Sequence, residues 1–395
     1  MENFNFYAPT RILFGAGALS RLTEYFPDRV KTVLLAYGGN SVKTNGIYVQ
    51  VTELLHKQGI SYIELSGIEP NPKLSSVCEG IRLCCTHHVD AVLAVGGGSV
   101  IDCCKAVCAG VFYDGDPWDL VLDNGKVKQT LPLYTVLTIA ATGSEMNGNG
   151  VISNPQTKDK KAIKSELLRP VCSVLDPTFT YTVPAFQTAS GVADIMSHIF
   201  EGYFSYIEHA AVQDHMAEGL LKTCFEYGPI AVEEPDNYEA RANLMWASSL
   251  ALNGLLGSGK GGNWSCHPME HPLSAYHDIT HGAGLAVLTP AWMEYIISPD
   301  TVGKFADYGR NVLDIDPDLP DVELAETAIA MTRDFFLSLG LPGTLSELGV
   351  TGEHLEEMAE KAANDRLSNA YVPLNKEDVL AIYRSCMESD EDKIL

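Results

Sequence analysis

Residues 90–105 read DAVLAVGGGSVIDCCK: an apolar run, the turn Gly96, Gly97, Gly98 and Ser99, and then a helical pattern opening with Val100 and Ile101. A short apolar run without alternation is what a strand buried on both faces looks like, as in a parallel sheet. Strand, glycine-rich turn and helix in that order make a cradle for a pyrophosphate. Glycine lets the phosphate approach the main chain, and the helix N-terminus presents unpaired N–H groups and the positive end of its dipole. The spacing is not the G-x-G-x-x-G fingerprint. Asp102, expected in the first helical turn, suits the dipole there and is counted with the cradle. Lys105 reads either as a solvated charge or as a phosphate contact.

The same order recurs upstream. VLLAY (33–37) ends in Gly38, Gly39, Asn40, Ser41 and, after Val42, Lys43; a helical pattern follows over 46–56 and a short strand, SYIEL, over 61–65. This is a βαβ unit, whose first turn reads equally as a nucleotide-binding edge or as an ordinary βα turn. Past EPNP (69–72) a helix runs through Cys84. Downstream, LPLYTVLT (131–138) brings Thr138, and after it Thr142 and Ser144, to the same sheet end as a second wall for a nucleotide. Residues 1–14 read as an opening strand or hairpin, and VCSVLDP (171–177) as the last strand. From residue 179 the periodicity is helical, as over 212–227, 238–256 and 322–339. The expected fold is an α/β N-terminal dinucleotide-binding domain with a Rossmann-like parallel sheet over 1–178, followed by an all-helical metal-binding and catalytic domain over 179–395. A cleft between the two is the default place for a reaction.

The helical half carries the metal chemistry. Residues 261–284, GGNWSCHPMEHPLSAYHDITHGAG, hold four of the eleven histidines: His267, His271, His277 and His281. His267 and His271 are four apart and share a helix face, and Asp194 and His198 in GVADIMSHIFEGY have the same spacing. A carboxylate with imidazoles suits zinc or ferrous iron. Because no cysteine pair has structural-zinc spacing, a metal here would be catalytic. His277 reads as a loop or core histidine and a spare candidate for proton transfer. Trp264, Tyr276 and residues 147–151 are candidates for lining the substrate pocket.

Composition narrows the partners. The 395 residues allow two or three domains, and 51 acidic against 27 basic residues leave a net charge of −24 with no basic arm, which argues against nucleic acid. An anionic cofactor must then be held by local Lys side chains, backbone amides and helix N-termini. The ten cysteines, Cys84 beside Cys85 and Cys103 beside Cys104 among them, show no secreted-scaffold rhythm and fit a reducing cytoplasm. With no basic leader and no apolar run of about 18 residues, a cytoplasmic protein without a membrane partner is expected. The acidic run at 388–393 reads as a solvated terminus.

Taken together, YGGNSVK (37–43), EPNP (69–72), GGGSVIDCCK (96–105), GDPWD (115–119), TGSEMN (142–147), VLDP (174–177), GVADIMSH (191–198) and the histidine segment resemble the iron-containing, metal-dependent alcohol dehydrogenase family. Within it they are similar to the butanol-dehydrogenase-like branch of NADPH-dependent aldehyde reductases. The resemblance implies one divalent metal, Fe(II) or Zn(II), held by Asp194, His198, His267 and His281. It implies that His271 lies close to metal and nicotinamide on the proton path, and that Gly96, Gly97, Gly98 and Ser99 bind the pyrophosphate. Thr138, Thr142 and Ser144 match nucleotide contacts, and Lys160 a lysine at the nicotinamide side. NADP(H) is favoured over NAD(H), because NAD-preferring relatives place an acid after the first strand, where it would repel a 2′-phosphate, and residues 38–43 offer none. Asn40 departs from the glycine expected in this branch and could serve either nucleotide. The implied reaction is reversible hydride transfer between the nicotinamide and a small aldehyde or primary alcohol, in a homodimer. An NADH-preferring dehydrogenase of the same family, a metal-dependent lyase or hydrolase, and a non-catalytic nucleotide or metal sensor are the alternatives.

Overall fold

Six strands, β1 (Arg11–Phe14), β2 (Thr32–Tyr37), β3 (Ser61–Leu65), β4 (Ala91–Gly96), β5 (Leu133–Leu137) and β8 (Cys172–Leu175), form a parallel sheet in the order β1-β8-β5-β4-β2-β3. The structure, a computed structural model, describes residues 1–261, 264–364 and 367–387. The acidic run at 388–393 and Gly262 lie outside the described residues. The first five helices are α1 (Ser41–Thr44), α2 (Ile47–Lys57), α3 (Leu74–His87), α4 (Gly98–Gly110) and α5 (Trp118–Leu122).

Both faces of the sheet are buried, which is why its strands read as unbroken apolar runs. Val33, Leu35 and Leu93 pack on one side with Val51 and Leu55 of α2. Leu34, Ala36, Val92 and Ala94 pack on the other with Val77 of α3 and Ile101 and Cys104 of α4. The sheet order reverses at β2, with β3 on one side and β4 on the other. Such a switch point opens a crevice at the carboxyl ends of the strands. Gly38 and Gly96 flank it.

Two features differ from expectation. Residues 1–10 form no strand, and only Arg11–Phe14 pairs, in parallel with β8. Residues 149–164, part of which reads as loop, form an antiparallel hairpin of β6 (Asn149–Asn154) and β7 (Asp159–Lys164).

The chain makes two compact units. The α/β unit comprises Tyr7–Val183 together with Pro235–Asn253, so it includes the helix α8 (Tyr238–Ala251), after α6 (Ala185–Tyr203) and α7 (Ala211–Glu233) in the chain. Met245 of α8 lies in the α/β core, and its Trp246 meets Phe14 edge-on. The helical unit comprises Met1–Phe6, Pro184–Glu234 and Gly254–Leu395. It holds α6, α7, α9 (Cys266–His277), α10 (His281–Ile296), α11 (Val302–Val312), α12 (Asp321–Ser338), α13 (Leu355–Ala363) and α14 (Lys376–Ser385). No described helix is long and apolar enough to cross a membrane, and none of the ten cysteines, all among the described residues, is in a disulfide.

Candidate metal centre and nucleotide cradle

In the α/β unit, α4 starts directly at the end of β4 because Gly97 and Gly98 carry no side chain. A Cβ on Gly98 would lie 2.4 Å from Thr142 Oγ1, and one on Gly97 2.2 Å from Ile139 Cγ2. The Thr138 N–H donates to the Gly96 carbonyl at 3.1 Å, so both walls expected of the cradle meet at one sheet end. Asn40 and Ser41 stand exposed at the start of α1.

Asp102 is past the first turn of α4, which contains no acid, so the dipole role expected for it is corrected. Its carboxylate instead accepts from Ser144 Oγ at 2.5 Å and from the Val151 N–H at 2.9 Å. Lys105 is neither solvated nor turned to a phosphate. It is fully buried and donates to Ser144 Oγ (2.8 Å), Asn147 Oδ1 (2.9 Å) and the Asn149 carbonyl (2.5 Å). Glu145, also buried, accepts from Ser249 Oγ of α8. Burial pushes the Asp102 and Glu145 carboxyls up and the Lys105 ammonium down to about 8, while attraction between the opposite charges opposes these shifts. Residues 147–151 thus brace α4 through Asn147 and Val151. Lys160 is buried in β7, and its charge acts on Asp102.

Beyond the turn of residues 38–43 stands an acid that the turn itself lacks. Glu64, on β3, accepts hydrogen bonds from Tyr37 Oη and, at 2.7 Å, from Tyr48 Oη. The Lys43 ammonium is 3.5 Å from the same carboxylate, and 5.1 and 4.8 Å from the Tyr37 and Tyr48 ring centres.

In the helical unit, residues 194, 198 and 201 follow the i, i+4, i+7 stripe of one face of α6, which puts Asp194, His198 and Glu201 together. Asp194 Oδ1 is 3.5 Å from His198 Nδ1, 3.7 Å from His267 Nε2 and 3.7 Å from His281 Nε2. The ligand atoms of Asp194, His267 and His281 all lie within 4.8 Å of one another. Asp194 Oδ1, His198 Nδ1 and His267 Nε2 are buried with no hydrogen-bond partner among the described residues. Bare polar atoms are costly in an interior. A cation with bonds of about 2.1 Å would hold tetrahedral ligands about 3.4 Å apart, close to these spacings. The site therefore fits the metal that the resemblance implies.

His271 is nearby, its ring centre 5.9 Å from that of His281, and it forms a second group of possible ligands with Glu270 and His281. The Trp264 ring lies 4.7 Å from His267 and 5.8 Å from His198. Tyr276 turns to His354 and Glu357 instead. Sequence reasoning passed over Glu201 and Glu270, whose carboxylates face the Nδ1 atoms of His267 and His281. The i+3 spacing from His198 to Glu201 and from His267 to Glu270 was the available signal.

Gly282 brings α10 onto α6. A Cβ there would sit 1.9 Å from the Ser190 carbonyl oxygen, so the two backbones touch. Gly282→Ala is expected to push His281 away from Asp194. Overpacking of this kind costs about 1–3 kcal/mol or more, and both the melting temperature and the metal content of the purified protein should fall. Wild-type values for both would show that α10 can retreat without disturbing the site.

Comparison with known proteins identifies the family. The sequence pattern described as iron-containing alcohol dehydrogenase matches residues 9–177, and that of the Fe-containing alcohol dehydrogenase family, C-terminal, matches 188–387. NADH-dependent butanol dehydrogenase A of Clostridium acetobutylicum is 52% identical over 386 residues, covering 97% of this chain and 99% of that one. The NADPH-dependent aldehyde reductase YqhD of Escherichia coli is 43% identical over 366 residues, covering 91% and 93%. Among solved structures, NADH-dependent butanol dehydrogenase A of Thermotoga maritima superposes with a TM-score of 0.92 at 39% identity, covering 98% of this chain and 99% of that one. Matched to these patterns and relatives along almost its whole length, the chain belongs to the iron-containing alcohol dehydrogenase family.

Proposed function

We propose that this chain reduces small aldehydes to primary alcohols and runs the reverse oxidation. In this reading Asp194, His198, His267 and His281 hold one divalent metal, Fe(II) or Zn(II), and the turns after β2 and β4 hold the nucleotide. Family membership makes the chain a metal-dependent alcohol dehydrogenase or aldehyde reductase with a nicotinamide cofactor. Substrate size, metal and nucleotide are the part proposed. The observation that carries the reading is the convergence of Asp194 Oδ1 and His267 Nε2, buried without hydrogen-bond partners among the described residues, with His281.

When bound, the metal supplies Lewis-acid polarisation of the carbonyl oxygen and the nicotinamide supplies the hydride. The main-chain N–H groups of Gly98 and Ser99, at the start of α4, bind the pyrophosphate, and Thr138 and Thr142 line its other side. His271 donates a proton from its imidazole to the product oxygen and takes it back in the reverse direction, a role suited to a group that ordinarily titrates near neutrality. A hydrolase or lyase using the same ligands would have no need of the cradle, and a sensor would bind without turnover.

The nucleotide reading turns on Lys43. Residues 38–43 alone favour NADP(H), but Glu64 occupies Lys43 and puts a carboxylate beside the turn, where it would oppose a 2′-phosphate. The butanol dehydrogenases above are NADH-dependent by name and the aldehyde reductase NADPH-dependent. NADH is therefore the first reading and NADPH the second. The test follows nucleotide oxidation at 340 nm with butyraldehyde, on protein stripped by chelator and reloaded with Fe(II) or Zn(II). Metal-restored turnover is expected with both nucleotides, with the higher kcat/KM for NADH. Glu64→Gln should raise the NADPH share about tenfold, the effect of about 1.4 kcal/mol from one freed charge-assisted contact. Binding of metal and nucleotide without turnover would favour the sensor.

A further inference from the structure

Two buried carboxylates, neither among the four proposed ligands, stand behind the imidazoles of the metal set. Glu201 lies on the same face of α6 as Asp194 and His198, and reaches the first turn of α9. Its Oε2 accepts from the Ser265 N–H at 2.7 Å. Its Oε1 accepts from the N–H groups of Cys266 (2.9 Å) and His267 (3.1 Å) and faces His267 Nδ1 at 3.1 Å. The helix start has no side-chain cap from Ser265 itself, so Glu201 supplies from another helix the acceptor that such N–H groups require. Backbone N–H groups can only donate. Oε1 is therefore an acceptor, and the Nδ1 facing it carries the proton.

Glu270 does the same for the other imidazole. It is fully buried on α9, one turn after His267; Oε1 accepts from Ser274 Oγ, and Oε2 is hydrogen-bonded to His281 Nδ1. In both cases Nδ1 is committed to a carboxylate, and Nε2 is the nitrogen directed at Asp194, at 3.7 Å.

We propose that Glu201 and Glu270 are positioning residues that hold the His267 and His281 rings by Nδ1 and so reserve Nε2 for the metal, with Glu201 also fixing the start of α9 on which His267 stands. The proposal rests on the metal reading above. Carboxylates placed behind metal-bound imidazoles orient the ring and raise its basicity, and their loss typically lowers metal affinity about 10- to 100-fold.

The test is Zn(II) affinity of the stripped full chain, read by competition with a chromophoric chelator, beside the melting temperature of the metal-free protein. Glu201→Gln and Glu270→Gln are each expected to weaken Zn(II) binding about 10- to 100-fold. In a His267→Ala background Glu201→Gln should weaken it no further, because it acts through that ring. The same should hold for Glu270→Gln in a His281→Ala background. Melting of the metal-free protein is expected to drop for Glu201→Gln, which loses the tie to α9, and much less for Glu270→Gln. Should Glu201→Gln not fold, the Glu270 pair carries the test alone. Zn(II) affinity within twofold of wild type in both glutamine variants, or losses that add to those of the histidine variants, would overturn the proposal while leaving the metal set standing. Unchanged Zn(II) affinity in His267→Ala and His281→Ala themselves would overturn the metal set and this proposal with it.

Discussion

Asp194→Asn is expected to remove metal and turnover together. Asp194 Oδ1 lies within 3.7 Å of all three imidazoles, and the carboxylate is the only anion among the four proposed ligands. Burial opposes its charge, but His198, His267 and His281 outweigh burial and hold its carboxyl below the usual carboxylate range. Asparagine keeps the shape and one oxygen but loses the charge that offsets desolvating a divalent cation. Metal content by mass spectrometry should fall to a small fraction of one equivalent, and kcat by about 10³-fold or more, since Lewis-acid charge stabilisation contributes several kcal/mol. His271→Ala, run beside it, should keep the metal while losing rate. An Asp194→Asn protein that retains a full equivalent would sink the ligand set.

Lys105→Met is expected to be the most damaging single change in the α/β unit. Its ammonium is buried between Asp102 and Glu145, with Ser144, Asn147 and the Asn149 carbonyl as acceptors. Because its pKa is lowered only to about 8, it stays largely protonated at pH 7. Methionine fills similar space but leaves buried Glu145 without the cation that acts on it and Asp102 with only the weaker pull of Lys160. Stranding a buried charge by removing the opposite charge that offsets it costs up to about 3–5 kcal/mol, which for a unit of this size lowers the melting temperature by about 6–20 °C. The loss should be smaller near pH 5, where protonation relieves the stranded carboxyls, whose pKa values burial already raises. Thermal melts at pH 5 and 7 read both effects. A melting point within 2 °C of wild type at pH 7 would mean that the carboxyls are neutral even with Lys105 present.

The sheet and the cradle were legible in the chain because their causes are local. Buried parallel strands must be apolar on both faces, and a helix can begin against a strand end only where the turn lacks side chains, so DAVLAVGGGS announces both. The spacing of Asp194 to His198 and of His267 to His271 was equally readable, since helical period alone puts such pairs on one face. What only the tertiary structure decided were the partnerships between segments far apart in sequence. Lys105, open in the chain to solvent or phosphate, is captured by a loop some forty residues on. Asp102 is drawn from a helix-dipole role into the same knot. Glu64 reaches back to Lys43 across the sheet edge, and α8 packs with strands that precede it by a hundred residues or more. Glu201 reaches His267 from another helix. Local propensity and periodicity are set by neighbours along the chain, whereas the pairing of a buried charge is set by which distant group arrives to satisfy it, and only the packed fold determines that.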